Sequence, residues 1–348
     1  MNADSFRPAW WLPGPHAQTV WGQLTRPRRL VSTRREALPT PDGDELLLDH
    51  LDDDGANGAA RAAFGAGSRP RLLVLHGLEG SSFSVYVQGM LALALARGFR
   101  ATVLNFRSCA RDEGDTRTWI PNRRPRLYHS GETTDLDLVA RELQRREPDA
   151  PLVAAGVSLG GNVLLKWLGE RAEERVVHAA VAISVPYDLG AGATFLVNPI
   201  GRLYLRHFLP TLRAKVESIW ERFPEVRDRI DLERARRARD FHPFDDAATA
   251  PLHGFAGADD YYAQSSSIGF LPRVATPTLC LSAIDDPFLP RDALRRVREA
   301  ASPAIELRFT PRGGHVGFVG GSSPRRPSYW AERTALDWLT ARLAAEAK

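Results

Sequence analysis

Cysteine is scarce: the 348-residue chain has two, Cys109 and Cys280. Neither sits in a Cys-rich framework, so a disulfide scaffold is excluded and the expectation is two reduced core thiols in a reducing compartment. No apolar run reaches the ~20 residues needed to cross a bilayer. The first 21 residues carry neither a long apolar stretch nor a cleavage-like site, which argues against a secretory signal. These absences predict a cytoplasmic protein without a transmembrane segment. An excess of one charge is lacking too: 46 Lys plus Arg against 42 Asp plus Glu leaves +4. With no basic block interleaved with aromatics, nucleic acid is not an expected partner. No H-x-x-x-H or C-x-x-C ligand pair occurs, no G-x-x-x-x-G-K phosphate loop, and no dinucleotide fingerprint, so neither a metal nor a cofactor is expected.

What is present is a strand–helix rhythm. Apolar residues are 43% of the chain, enough for a sizeable core. Residues 31–50 read as a β-hairpin around the turn signal Pro41-Asp42-Gly43-Asp44. Residues 53–70, rich in Gly, Ala and Asp, read as an exposed loop. Short apolar runs at 72–75, 101–106, 152–155 and 177–185 then alternate with helical spacings at 85–96, 132–146 and 162–169. Continuous apolar strands separated by helices indicate a mostly parallel sheet buried on both faces. Residues 186–270 break the rhythm with Phe208, Leu209, Leu212, Val216, Ile219 and Trp220 at helical spacing, which predicts a helical insertion, or lid. The rhythm resumes at 278–281 and runs on through a helix, a strand at 305–309 and a last helix. The predicted divisions are an extension with hairpin (1–50), a first core part (51–185), the lid (186–270) and a second core part (271–348).

Gly156-Val157-Ser158-Leu159-Gly160-Gly161 follows a strand and opens a helix, the context of a G-x-S-x-G nucleophile elbow. Glycines flank the serine because a Cβ on either side would meet neighbouring backbone. The turn also puts the Leu159 N–H at a helix N-terminus, where developing negative charge is favoured. A serine needs a base. His315 is the one histidine beyond residue 253, and its glycine-rich loop follows the strand ending at Phe309. The acid should close the strand at 278–281, where Asp285 and Asp286 stand. Asp286, nine residues after Pro277 and one step before a two-proline turn, is chosen as the residue that orients His315, leaving Asp285 to cap the loop or meet solvent. The loop His76-Gly77-Leu78-Glu79-Gly80 after the first parallel strand is the expected source of the second oxyanion donor, the Leu78 N–H. His76 is read as orienting that loop.

Several further runs resemble the YheT-like branch of the α/β hydrolases, bacterial esterase-like proteins related to plant embryogenesis-associated proteins and animal abhydrolase-domain lipases. They are Pro15-His16-Ala17-Gln18-Thr19, His76-Gly77-Leu78-Glu79-Gly80-Ser81-Ser82, Tyr128-His129-Ser130-Gly131-Glu132-Thr133, Asp285-Asp286-Pro287-Phe288 and Gly313-Gly314-His315-Val316-Gly317-Phe318. The resemblance runs nearly end to end. It implies an α/β-hydrolase fold with a helical lid, and carboxylic-ester hydrolysis by Ser158, Asp286 and His315. The expected substrates are esters of small or medium acyl chains, with acylglycerols as one candidate class. Acyl transfer or thioester hydrolysis by the same residues, or a non-catalytic binding protein of this fold, are the alternatives. The branch usually reads Gly-Cys-x-Gly-Glu after Asn105-Phe106-Arg107; this chain has Ser108-Cys109-Ala110-Arg111-Asp112, so the 108–126 loop is expected to border the pocket and alter preference. Ser130, Thr133 and Thr134 are read as helix-capping residues. Trp10, Trp11 and Trp21 are read as packing the extension onto the core.

Overall fold

The computed structural model describes residues 6–52 and 69–346. The loop expected at 53–70 therefore falls almost wholly outside the described residues. Eight strands form one sheet in the order β1-β2-β4-β3-β5-β6-β7-β8. The hairpin strands β1 (Arg34–Pro39) and β2 (Glu45–Leu51) pair antiparallel. They are not a separate appendage, because β2 also pairs antiparallel with β4 (Arg100–Asn105). From β4 onward, with β3 (Arg71–Leu75), β5 (Leu152–Val157), β6 (Ala179–Ile183), β7 (Thr278–Ala283) and β8 (Ile305–Thr310), every pairing is parallel.

The strands β3, β5, β6 and β7 are buried at every residue. That is why they read as unbroken apolar runs: side chains alternate between two covered faces. Leu73 and Leu75 join one apolar cluster, with Leu136, Val163, Trp167 and Val297. Leu72 and Val74 join the other, with Val87, Met90, Leu336 and Leu339. The first cluster holds helices α3 (Thr134–Arg146), α4 (Leu159–Glu170) and α9 (Ala293–Ala300); the second holds α2 (Val85–Ala96) and α10 (Trp330–Glu346).

Between β6 and β7 the chain is helical, including α5 (Leu189–Phe195), α6 (Gly201–Arg222), α7 (Leu232–Arg237) and α8 (Ala258–Ser265). This insertion has an apolar core of its own, built from residues such as Leu205, Leu209, Val216, Ile219, Val226 and Phe244. The N-terminal stretch, which shows no clean period in sequence, contains α1 (Pro15–Thr25), and a small hairpin, β9 (Val319–Ser323) and β10 (Arg326–Tyr329), lies beside it. Trp11 and Trp21 pack edge to face at 4.8 Å between ring centroids and rest against a small cluster of Ala9, Leu12 and Val319, whereas Trp10, expected to pack onto the core, is 80% exposed.

Strand order reverses its direction of travel between β3 and β5. Loops leaving these two strands diverge, and a crevice opens at their C-terminal ends, the usual ligand position in a parallel α/β sheet. No helix among the described residues is long and apolar enough to cross a membrane.

Candidate active site

Ser158 stands at that crevice, between the end of β5 and the start of α4. Its backbone is at φ 53°, ψ −121°, a conformation L-residues rarely adopt. The sharp turn is possible because Gly160 sits against the neighbouring strand: a Cβ there would lie 2.5 Å from the His76 carbonyl oxygen and 2.6 Å from that of Leu75. Strain at the serine and close packing of α4 on β3 are thus one feature.

His315 reaches Ser158 from the loop after β8. Its Nε2 lies 2.9 Å from Ser158 Oγ, and its Nδ1 lies 2.9 Å from Asp286 Oδ2 and 3.1 Å from Oδ1. Asp286 is 3% exposed and also accepts the Phe288 N–H at 2.8 Å. Of the two candidate acids, Asp286 is the one placed against the His315 ring. Asp285 does cap the histidine loop, accepting the Gly314 N–H at 2.9 Å.

One N–H in the loop after β3 and one at the start of α4 face no protein acceptor among the described residues. Among the described residues, neither the Leu78 nor the Leu159 N–H is engaged in a hydrogen bond. The loop carrying Leu78 is tied at three points. Gly77 N–H donates to the Tyr86 hydroxyl at 2.8 Å, Glu79 N–H donates to the Tyr128 hydroxyl at 2.9 Å, and Tyr128 in turn donates to Glu79 Oε1 at 2.7 Å. His76 is fully buried, and burial pushes its pKa down to about 3. As a neutral ring it accepts the Phe106 N–H at Nε2 (3.1 Å) and contacts the Gly77 carbonyl at Nδ1 (2.8 Å), the orienting part expected of it.

Three supports were not evident from sequence. The first is α1. Thr19 Oγ1 accepts the His315 N–H at 2.9 Å and donates to the Pro15 carbonyl at 2.8 Å. Gln18 brackets Val319, accepting its N–H at 2.7 Å and donating to its carbonyl at 3.0 Å. Gly314, at φ +63°, lies so close that a Cβ would be 2.4 Å from the Pro15 carbonyl. The Pro-His-Ala-Gln-Thr run is therefore the seat of the histidine loop. The second is an aromatic stack: the Phe288 ring lies on the His315 ring at 4.1 Å, and Tyr204 of α6 packs on Phe288 at 4.7 Å. The third is a buried ion pair, Lys215 of α6 with Glu79 at 2.7 Å, which fastens the helical insertion to the Leu78 loop. Lys215 Nζ also lies 3.3 Å from Cys109 Sγ. Burial raises the Cys109 thiol to about 11, so it stays protonated, and both cysteines are free and buried.

At the start of α3 the capping differs from the expectation. Thr133 makes no side-chain cap; the Glu132 carboxylate accepts the Thr134 N–H at 2.9 Å instead. Glu132 pairs with Arg126, and its pKa falls to about 2 despite the opposing effect of burial, with Arg126 the largest lowering influence. The acidic side chain wins because an anion is favoured at a helix N-terminus.

The residues converge on a cavity of about 1050 Å³ that touches Ser158, Leu78, Leu159 and His315 and is walled by α1 and the inserted helices. Leu189, Leu196, Leu203, Phe208 and Phe241 give it a largely apolar lining. Arg111, Thr116 and Arg117 of the 108–126 loop also border it, as expected.

The alpha/beta hydrolase family model matches residues 72–327. Over 331 residues the chain is 37% identical to the Escherichia coli (strain K12) protein named "Putative esterase YheT", covering 95% of this chain and 92% of that one. It is 32% identical over 327 residues to phospholipase ABHD3 of Bos taurus, covering 94% of this chain and 76% of that one. Among solved structures, the esterase Pf2001 of Pyrococcus furiosus superposes with a TM-score of 0.51 at 15% identity, over 91% of this chain and 96% of that chain. At that identity the likeness concerns the fold alone.

Proposed function

Because the chain belongs to the α/β-hydrolase family, we propose that it is a serine hydrolase of carboxylic esters, with Ser158 as nucleophile, His315 as general base and Asp286 as the group that orients the histidine. The observation that carries this reading is the unbroken contact line from Asp286 through His315 to Ser158, at 2.9 Å on each side of the ring.

Ser158 Oγ attacks the acyl carbonyl and passes its proton to His315 Nε2. Asp286 holds the other ring N–H, which fixes the tautomer and stabilises the imidazolium as it forms. Negative charge gathers on the carbonyl oxygen, and the Leu78 and Leu159 N–H groups receive it. Each such donor is typically worth ~3 kcal/mol in the transition state. His315 then protonates the departing alcohol. An acyl-serine is left, and a water activated by the same imidazole hydrolyses it.

The apolar cavity suits an ester with small or medium acyl chains, acylglycerols among them, and the phospholipase and esterase names of the two relatives support an ester substrate. The segment 186–270 acts as a lid over the two core parts, 51–185 and 271–348, with 1–50 as the extension that braces the histidine loop. The decisive experiment is hydrolysis of p-nitrophenyl butyrate together with fluorophosphonate labelling. Ser158→Ala should abolish both while the circular dichroism stays native. Full activity in that variant would remove the assignment.

A further inference from the structure

Among the ionisable groups that line the cavity is a carboxylate, Asp245, that ester cleavage does not use and that, unlike Glu79, has no charged partner among the described residues. Within the inserted segment, residues Asp245–Thr249 form a single π-helical turn. Such widened turns are uncommon and recur at functional sites. Asp245 at its start lines the cavity that also touches Ser158. Its Oδ1 accepts the Thr249 hydroxyl at 2.6 Å and its Oδ2 accepts the Tyr262 hydroxyl at 2.7 Å.

These two hydroxyls meet part of the hydrogen-bonding need of the carboxylate but none of its charge. Among the described residues, no Lys or Arg lies within ion-pair distance of Asp245. The nearby His242 faces away to Asp259, at 3.0 Å, and is half exposed. Burial without a counter-ion pushes the Asp245 carboxyl up to about 6, even though both hydroxyls and His242 act to lower it. A carboxylate kept in a largely apolar cavity in this way is costly unless something that enters the cavity neutralises it. Each oxygen still has capacity for a further contact.

The surroundings favour a cation over another hydroxyl. Phe241, Phe244, Tyr261 and Tyr262 line the cavity together with Asp245. Tyr261 and Tyr262 stand 5.2 Å apart as a tilted ring pair. Tyr262 meets Asp245 through its hydroxyl, and aromatic rings that share a cavity with a carboxylate attract an alkylammonium group, which brings positive charge and little hydration to lose. We propose that Asp245 and these rings form a subsite for an ammonium group, so that the enzyme prefers esters carrying a cationic head. The inference rests on the reading of this cavity as the substrate site of an ester hydrolase.

The test separates charge from shape. Choline and its uncharged isostere 3,3-dimethylbutan-1-ol are titrated calorimetrically, at pH 8, into the full-length protein and into Asp245→Asn, which keeps an acceptor for one hydroxyl and offers an N–H that the other can accept. Wild type should bind choline at least about tenfold more tightly than the isostere, and the variant should bring the two within about twofold. The same ratio should appear in kcat/KM for butyrylcholine against 3,3-dimethylbutyl butyrate. Equal binding by wild type, no choline binding at tens of millimolar, or an unchanged ratio in Asp245→Asn each overturns the inference. The wild-type comparison decides even if the variant misfolds. The binding arm needs no ester cleavage. Discrimination without hydrolysis would thus sink the hydrolase reading alone, whereas hydrolysis without discrimination would sink the subsite alone.

Discussion

Replacing Thr19 with valine tests whether the N-terminal helix is part of the catalytic apparatus. Valine keeps the shape and β-branching of threonine and removes one oxygen. That oxygen accepts the backbone N–H of His315 at 2.9 Å. A donor left without a partner costs about 1–3 kcal/mol. Thr19 borders the cavity, so water can reach the vacated position, and the low end applies. The expected stability loss is therefore about 1 kcal/mol, read as a lower urea midpoint with an unchanged slope. The catalytic loss should be larger than that number suggests. The His315 ring must sit between two partners at 2.9 Å, and its main chain is held by α1 from one side and by Ser184, whose hydroxyl accepts the Val316 N–H at 3.0 Å, from the other. Small displacements of a positioned base are costly. We expect kcat/KM for p-nitrophenyl butyrate to fall about tenfold or more, chiefly in kcat, and Thr19→Ser to restore most of it because the hydroxyl returns. A Thr19→Val enzyme within twofold of wild type would show that the histidine loop holds itself in place.

Three further outcomes follow from the same geometry. Asp286→Asn should lower kcat by about 10³–10⁴-fold through the wrong histidine tautomer, whereas Asp285→Asn, which keeps an acceptor for the Gly314 N–H, should cost less than about tenfold; the reverse order in steady-state kinetics would exchange their roles. Lys215→Met strands the Glu79 carboxylate in a buried site, and a loss of roughly 3 kcal/mol is expected in urea unfolding; no loss would mean the ion pair contributes nothing beyond a hydrophobic contact. Acid should destabilise the fold already as pH falls from 6.5 to 5. His76 and His129 have pKa values pushed down by burial to about 3 and about 4, so their stabilisation is complete above pH 6.5 and drains as pH falls, because the unfolded chain takes up protons that the fold refuses. At pH 5 each has lost about 2 kcal/mol, while Asp245, raised to about 6, protonates in the fold and returns about 1; burial also lowers the His50 and His253 pKa values, so the loss relative to pH 8 is at least about 3 kcal/mol. Equal urea midpoints at pH 5 and pH 8 would contradict this.

Legibility in the sequence follows burial. Strands β3, β5, β6 and β7 are covered on both faces, so selection for apolar residues acts at every position and the runs stand out. Helix α3 is equally plain, since one face is buried and the other carries Arg and Glu. Helix α1 is not. Gln18 is its one fully buried member, and that residue is polar because its work is to bracket the Val319 backbone. A helix whose buried side makes hydrogen bonds rather than apolar contact leaves no apolar period to read. For the same reason the Pro-His-Ala-Gln-Thr run is visible as a family signature and silent about its task.

The site divides along a similar line. Ser158, His315 and the Leu78 and Leu159 N–H groups stand out as candidates in the sequence because local chain geometry constrains them: an elbow needs glycines, a catalytic histidine needs a loop after a strand, and a helix N-terminus leaves an N–H free. Glu79, Lys215, Tyr128 and Phe288 answer to no local rule. Glu79 and Lys215 are 136 positions apart, and their pairing exists because the insertion between β6 and β7 folds back over the loop after β3. That return has a chemical consequence. In the proposed mechanism the Leu78 N–H must point at a developing oxyanion without reorganising, yet its loop carries Glu79 at φ 56°, a conformation the chain does not hold unaided. The hydroxyl of Tyr128 and the ammonium of Lys215 both donate to Glu79 Oε1, so in the proposed mechanism the helices that shape the cavity also fix the loop that presents the Leu78 N–H. Changes in the insertion that alter substrate preference should therefore alter kcat as well, and the coupling should run through residue 215.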